Sequence, residues 1–194
     1  MANLIDLDTY KISEKIESTK EDARITSLIA AVSALVKTYC GNSIVDYYAT
    51  NKVEEFSINW ATNLAQLTET PIVSIVSVEE RDDFASSYTT VPTTEYYADG
   101  STDSIYRVNT TGIGKSWPTG PAAVKITYKA GYSECPADLQ LAVVDLITYY
   151  MKDEHKARQT MQGASIQNNS SSSQRDNVAF PDHIKRVLDL YKNF

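Results

Sequence analysis

The sequence contains few cysteines and histidines, which are common ligands of metal ions and common catalytic residues. Its 194 residues include only two cysteines, Cys40 and Cys135, and two histidines, His155 and His183. A disulfide-stabilised secreted domain uses more cysteines, and a structural zinc site needs four ligands, usually in closely spaced pairs. Neither histidine lies in a metalloprotease spacing, and no nucleophile elbow of the G-x-S-x-G type occurs. These absences predict free thiols in a reducing cytosol, no metal, no cofactor and no catalytic residue.

Long apolar runs and an excess of positive charge are missing as well. No run of about 18 apolar residues occurs, so we expect no membrane-spanning segment and no membrane partner. Residues 1–13 have no basic start and no continuous apolar stretch, which predicts that they are not a signal peptide and that the protein is made in a cytoplasm. The net charge is −7. A protein that binds nucleic acid through its phosphates needs a basic patch, so this balance argues against that role.

The charge is divided unevenly along the chain. Residues 1–151 hold eleven Lys or Arg and twenty Asp or Glu, whereas residues 152–194 hold seven and five. An acidic body with a mildly basic tail indicates that the two parts face different surroundings.

Two amphipathic helices are the clearest predicted elements, preceded by a weaker short helix over residues 6–17. The first follows Ser18 and Glu21, which match a capping box, and ends at Gly41. The second begins near Pro136, a residue that suits a first helical turn. In both, apolar residues recur at the helical spacing and predict a buried stripe. The predicted core consists of Ile25, Leu28, Ile29, Val32, Leu35, Val36, Leu139, Val143, Leu146, Ile147 and Tyr150.

Between the two helices the sequence becomes rich in Val, Ile, Thr and Tyr, which is typical of strands. Turn signals such as Asp99-Gly100 and Thr111-Gly112 separate the runs. The predicted strands are 43–48, 53–58, 72–79, 96–98, 104–108 and 123–130.

The C-terminal part combines a polar segment with a short amphipathic helix. Residues 163–177 are polar and Ser-rich, a composition that does not bury enough apolar surface to become ordered. A last helix opens at Pro181. Its apolar face, with the terminal residue, consists of Ile184, Val187, Leu188, Tyr191 and Phe194.

Residues 109–116 resemble the phosphate-binding string G-x-x-x-x-G-K-[ST], with Lys115 and Ser116 at its end. However, Asn109 occupies the first glycine position, and Trp117-Pro118 follows where a helix should open. A glycine turn between strands is the competing interpretation. The acidic cluster Glu79, Glu80, Asp82 and Asp83 lacks the ligand spacing of a calcium loop and predicts a solvated turn.

The order of these elements resembles the head–tail connector proteins of tailed bacteriophages, the neck adaptors that bind below the portal. Three segments carry the resemblance. They are EDARITSLIAAVSALVKTYCGNSI (21–44), TPIVSIVSVE (70–79) and VKITYKAGYSECPADLQLAVVDLITYYMKDE (124–154).

The resemblance implies an α+β fold: a helical bundle with an inserted β-rich module and a tethered C-terminal helix. The expected parts are N-terminal helices (1–42), the β-rich insertion (43–132), a central helix (133–158), a flexible tether (159–179) and a docking helix (180–194). It also implies a closed ring, typically of twelve subunits, located in the virion neck. Such a ring binds the portal and a tail-side neck or tail protein, and DNA passes through its channel without specific binding.

In this interpretation the C-terminal residues Ile184, Val187, Leu188, Tyr191 and Phe194 dock into the portal. A tethered amphipathic helix suits a groove on a partner, and the tether raises its effective concentration. Packing of the same helix on its own domain is the alternative. Two further functions stay open: another neck or tail-completion (stopper) protein, and a nucleotide-binding enzyme that uses residues 109–116.

Overall fold

A computed structural model of the chain describes residues 2–152, 160–161, 164–165 and 180–192. The chain forms two units. The helical unit comprises Met1–Asn42 and Glu134–Lys192, and the β unit comprises Ser43–Ser133. The fold is therefore mixed α and β, as predicted from the change in residue pattern near residue 43.

The helical unit contains four α-helices within the described residues: α1 (Leu7–Glu14), α2 (Asp22–Cys40), α3 (Ala137–Met151) and α4 (Asp182–Leu190). Asp6 begins α1, because its Oδ1 accepts a hydrogen bond from the Thr9 amide at 2.7 Å. Gly41 ends α2 in the left-handed conformation, with φ 65°.

The predicted capping box at the start of α2 is wrong. The helix begins one turn later than that motif requires, with Glu21 at the N-cap and no side-chain cap. Ser18 Oγ instead accepts from the Lys20 amide at 3.3 Å, which closes a local turn before the helix.

The helical unit is held together by apolar stripes on its helices. Helix α2 contacts α1, α3 and α4, and α3 also contacts α4. Of the residues predicted to form the core, eight are buried: Ile25, Ile29, Val32, Val36, Leu139, Val143, Leu146 and Ile147. Three are half-buried: Leu28, Leu35 and Tyr150. By length and composition α2 would suffice to cross a bilayer. In this unit its apolar surface packs against the other helices.

The residues before α1 are also part of the helical core. Leu4 and Ile5 are buried, and the Leu4 amide donates to Ser33 Oγ at 3.0 Å. Tyr10 of α1 is buried, with its hydroxyl 3.1 Å from Thr148 Oγ1 of α3. These contacts fix the N-terminal segment on the helices.

The β unit consists of two antiparallel sheets. Its strands are β1 (Lys52–Ile58), β2 (Leu64–Gln66), β3 (Ile72–Glu80), β4 (Thr89–Thr90), β5 (Tyr96–Asp99), β6 (Ser104–Arg107) and β7 (Gly120–Ala130), with a short 3-10 helix at Thr93–Glu95. The four-stranded sheet has the order β1-β7-β3-β4, and the three-stranded sheet the order β2-β6-β5. A separate pair, β8 (Thr160–Met161) and β9 (Ala164–Ser165), lies in the C-terminal region.

Strand β7 is the central element of the four-stranded sheet. It pairs with β1 through Glu54↔Ile126 and with β3 through Val78↔Ile126. Val124, Ile126 and Tyr128 are buried and alternate with half-buried Lys125 and Thr127. The sheet therefore has one face in the core and one face toward solvent.

The predicted strand over 43–48 is wrong, since this segment forms turns. Its Ile44 has φ 66°, and the Ile44 carbonyl accepts from the Tyr132 amide at 2.7 Å. Gly131 lies beside it with φ +95°, and a Cβ there would overlap the Ile44 carbonyl oxygen. The backbones at Ile44 and Gly131 therefore approach each other closely, and the segment 43–48 forms no strand.

Candidate interaction surfaces

The residues predicted to dock into the portal lie mainly on the inner face of α4. Ile184 and Leu188 are buried within the helical unit, and Val187 and Tyr191 are half-buried. Phe194 and most of the predicted tether lie outside the described residues. In this structure α4 packs on its own unit, which was the alternative to docking.

Polar contacts also hold α4 on its own unit. Tyr191 donates from its hydroxyl to Asp138 Oδ1 of α3 at 2.6 Å. Tyr39 of α2 donates to Asp189 Oδ1 at 2.6 Å, and its ring meets the buried Phe180 ring edge-to-face at 5.1 Å. A partner that used Ile184 and Leu188 would have to displace these contacts.

Residues 109–116 form a turn between β6 and β7 without a helix after it. The Asn109 side-chain oxygen accepts from the amides of Thr111 and Ile113 at 3.0 and 2.9 Å. A bridge between Val108 and Gly114 closes the loop. A phosphate-binding loop needs a helix N-terminus directly after it, so this geometry supports the glycine turn.

The acidic cluster 79–83 is divided between the two faces of the sheet instead of forming a solvated turn. Glu79 pairs with Lys125 on the solvent face. Glu80, on the inner face, forms a two-point ion pair with Arg107, in which Nη2 donates at 2.8 Å and Nε at 2.9 Å. Only Asp82 and Asp83 belong to the exposed loop.

Arg107 is the centre of a charged network between the two sheets. Only 2% of its surface is exposed, and its Nη1 also donates to Glu95 Oε2 at 2.9 Å and to the Val108 carbonyl at 2.8 Å. The hydrogen bonds to Glu80 raise the pKa of Arg107, and burial opposes that shift. Its guanidinium lies 5.7 Å from the Trp117 ring. The network joins β6 of one sheet to β3 of the other.

A second polar network lies at the opposite end of the β unit. The Tyr128 hydroxyl donates to Glu54 Oε1 at 2.9 Å and accepts from the Glu69 amide at 3.1 Å. Burial raises the pKa of Tyr128 above its ordinary value. Glu69 Oε2 accepts from the Ser43 amide at 2.8 Å. These bonds secure the segments through which the chain enters the unit.

Neither network was predicted from the sequence, and no described group of three or more His, Cys, Asp or Glu residues could hold a metal ion. The sequence does carry a signal for one residue of these networks, Glu80. The predicted strand 72–79 stops one residue short of Glu80; extended by that residue, it places Glu80 on the same face as Val78, where its side chain is directed inward and needs a partner. The identity of that partner, 27 positions away, carries no local signal.

The two cysteines are buried in the helical unit and free. Burial raises the pKa of Cys40 to about 11 and that of Cys135 to about 12. Both thiols are therefore protonated near neutral pH.

The β unit exposes large apolar side chains on its loops. Trp60, Phe84 and Ile113 have exposed fractions of 71%, 66% and 65%. In the helical unit the exposed large apolar side chains include Ile12, Leu141 and Leu190. Aromatic side chains are enriched at the centres of protein interfaces, whereas Leu is under-represented among the residues that anchor them.

Comparison with known proteins gives one family and a group of similar structures. A family model described as head completion protein matches residues 3–194. No curated protein matches the chain. A solved neck of an empty GTA particle, computed with C6 symmetry, is similar with a TM-score of 0.62 at 16% identity, covering 98% of this chain and 90% of that one.

Two further structures give the same result. A neck of a native GTA particle computed with C12 symmetry has a TM-score of 0.58 at 16% identity, and 100% of this chain and 96% of that chain are covered. The virion of a native gene transfer agent particle has a TM-score of 0.61 at 16% identity, with 98% and 90% covered. At this identity the likeness establishes a shared fold over both units.

Proposed function

Because the chain belongs to the head completion protein family, we propose that it is a structural protein of the head–tail neck of a phage-like particle. The match over residues 3–194 is the observation that carries this proposal, since it includes both units. The chain works by binding neighbouring proteins, and no catalytic step is assigned to it.

We further propose that copies of the chain form a closed ring, typically of twelve subunits. The similar neck structures were computed with C6 and C12 symmetry, which supports repeated subunits around one axis. Such a ring uses heterologous contacts that close by rotation. The β unit carries eleven Asp or Glu and six Lys or Arg. A wall of that charge repels phosphate, so DNA can slide past it without adhering.

The direct test is the mass of the purified chain, measured by light scattering alone and after mixing with the portal protein of the same particle. We expect a ring-sized complex with the portal. A chain that stays at its monomer mass of 21.6 kDa in every mixture would contradict the neck assignment.

Portal docking by the C-terminal residues needs a sharper test than deletion. Removing residues 178–194 also removes Ile184 and Leu188 from the helical core, so lost binding would not distinguish docking from unfolding. Phe194→Ser is the better variant, with Leu190→Ser as its control, because Leu190 is exposed on α4 and is not in the predicted docking set. We expect only Phe194→Ser to weaken portal binding. Equal binding by both variants would contradict a docking role for Phe194.

A stopper or other tail-completion protein is the remaining alternative within the same particle. Order of assembly separates the two roles. A neck adaptor that binds below the portal should bind the portal alone, whereas a protein acting elsewhere in the neck or tail should not. Pull-down with the portal alone therefore distinguishes them.

A further inference from the structure

The four-stranded sheet of the β unit has two open edges. In the order β1-β7-β3-β4, strand β1 pairs only with β7. At the other side, β4 covers just the end of β3, because its two residues pair with Glu79 and Glu80. Within the described part of the chain, residues 73–77 of β3 therefore have β7 on one side and no strand on the other. An open edge presents unpaired backbone N–H and C=O groups, to which another strand can add.

The open edge of β3 lacks the residues that usually prevent strand addition. Proteins protect such edges with charged side chains or proline, and β3 has no proline and no charge before Glu79. Its register against β7 shifts twice, so Val73 and Val76 are the extra residues of two β-bulges. Their exposed fractions are 44% and 53%. Because bulges increase the local twist, this edge favours a strand that matches the twist over an arbitrary one.

The open edge of β1 carries charge, which limits the strands that it can accept. Glu55 is exposed at the middle of the seven residues of β1. Two copies of β1 paired antiparallel along their full length would bring the two Glu55 carboxylates together, and like charges directly opposite are destabilising. Residues 73–77 of β3 present no charge to Glu55. The β1 edge is therefore better matched to the β3 edge of another copy than to itself.

The direction of the strands decides what kind of assembly such pairing would build. Strands β1 and β3 each run antiparallel to β7, so they run parallel to each other. Rotation about a ring axis keeps the direction of each strand along that axis, so β1 of one copy would meet β3 of the next as a parallel pair. Each contact uses one edge and leaves the other edge free. Contacts of this heterologous type repeat until a ring closes, whereas pairing of two like edges gives a two-fold dimer.

We propose that β1 of one copy pairs in parallel with residues 73–77 of β3 in the next copy, so that the sheets continue from subunit to subunit. A second copy is the occupant because a ring needs a contact between two different surfaces of one chain, and the two edges belong to one sheet. The inference rests on the proposed ring. It names the surfaces that join the subunits of that ring.

Cysteine cross-linking of the full-length chain tests which edges meet. Val53 of β1 and Val76 of β3 are exposed and lie on either side of β7, at the level of Thr127. Native Cys40 and Cys135 are buried, so a short bismaleimide should react only with introduced thiols. Val53→Cys and Val76→Cys are prepared as separate chains. Each is assembled with the portal protein of the same particle and cross-linked, alone and as an equal mixture of the two.

We expect a cross-linked dimer only in the mixture, because each link then joins β1 of one copy to β3 of the next. A dimer from Val76→Cys alone would show that two β3 edges meet. A dimer from Val53→Cys alone would show that two β1 edges meet. Either result would overturn the proposal.

A charge placed on the β3 edge gives an independent measurement. Val76→Glu should raise the concentration needed for ring assembly at least about tenfold, because the new carboxylate would lie near Glu55 of the incoming strand. Tyr97→Glu is the matched control, since Tyr97 is 59% exposed on β5, an edge strand of the other sheet. It should assemble like the wild type. Both variants should unfold at the wild-type midpoint, because both side chains are exposed.

The outcomes separate this proposal from the one on which it rests. If the wild type forms a ring with the portal, but the mixture gives no cross-link and Val76→Glu assembles normally, edge pairing is wrong and the ring proposal stands. If the wild type forms no ring with the portal, the ring proposal fails, and edge pairing fails with it. Light scattering distinguishes these cases by the mass of the complex.

Discussion

The cores of the two units of this protein are held together by different interactions. In the helical unit the stripes on α2 and α3 meet as aliphatic side chains, and Ile25, Val36 and Leu146 are fully buried. In the β unit a comparable apolar core is crossed by charge, because Arg107 is buried between two sheets and pairs with Glu80 and Glu95.

This difference shows that stability and positional specificity need not come from the same interactions. Aliphatic packing contributes stability in proportion to the area buried but tolerates many arrangements. A buried ion network adds less net stability, yet it penalises any arrangement in which a partner is missing. We infer that the Arg107 network fixes the relation of the two sheets, and with it the loops that carry Trp60, Phe84 and Ile113.

The largest expected effect comes from breaking the charged core of the β unit. Arg107→Met should destabilise the protein by about 3–5 kcal/mol, because Glu80 and Glu95 lose their partner while remaining largely buried. The measurement is urea unfolding. Lys125→Met is the control, since Lys125 of β7 pairs with Glu79 of β3 but is 25% exposed, against 2% for Arg107, so solvent screens its charge and the loss of stability should be smaller. Equal losses in the two variants would show that burial of Arg107 has no special role.

A somewhat smaller effect is expected from a cavity in the helical unit. Leu146→Ala should cost about 3 kcal/mol, since Leu146 is fully buried on α3 and the surrounding side chains relax only partly. Leu141→Ala, on the exposed side of the same helix, should change stability by less than about 0.5 kcal/mol. The comparison uses the same unfolding measurement. Similar losses for both would contradict the assignment of the inner and outer faces of α3.

The smallest effect near neutral pH is expected from the two buried thiols. Because their pKa is raised on folding, to about 11 for Cys40 and about 12 for Cys135, each contributes stability that is present below pH 9 and is lost as pH rises through those values. A thiol reagent at pH 8 should label neither until the helical unit unfolds. Cys40→Ala should reduce the loss of unfolding free energy at alkaline pH, measured by urea unfolding. Rapid labelling of either cysteine in the folded chain would contradict this prediction.

The helices could be predicted from the sequence because their signal is local. The spacing of Ile25, Ile29, Val32 and Val36 defines α2 without knowledge of the rest of the chain. The short strands could not, since β2 has three residues and β4 has two, too few for a period to be recognised. The predicted strand over 43–48 was wrong for a different reason. Its Val, Ile and Tyr residues favour strands, but the backbone at Ile44 forms a turn.

The candidate surfaces were predictable only in part. An amphipathic C-terminal helix is visible in Ile184, Val187 and Leu188, but the sequence does not say whether its apolar face meets a partner or its own unit. Burial of Ile184 and Leu188 depends on α2 and α3, which are distant in the chain. The placement of the loops after β1 and β3 at one end of the sheet depends in the same way on strand register. Both features result from tertiary contacts that no local pattern encodes.

The sequence contains two tryptophans, and both lie in the β unit in opposite environments. Trp117 is buried near Arg107, while Trp60 is exposed on the loop after β1. Their fluorescence should therefore separate, with Trp117 emitting at shorter wavelength and Trp60 at longer wavelength. A quencher dissolved in the buffer should reach only Trp60. The chain thus carries two optical reporters, one for the integrity of the β unit and one for the surroundings of the loop after β1, without any attached label.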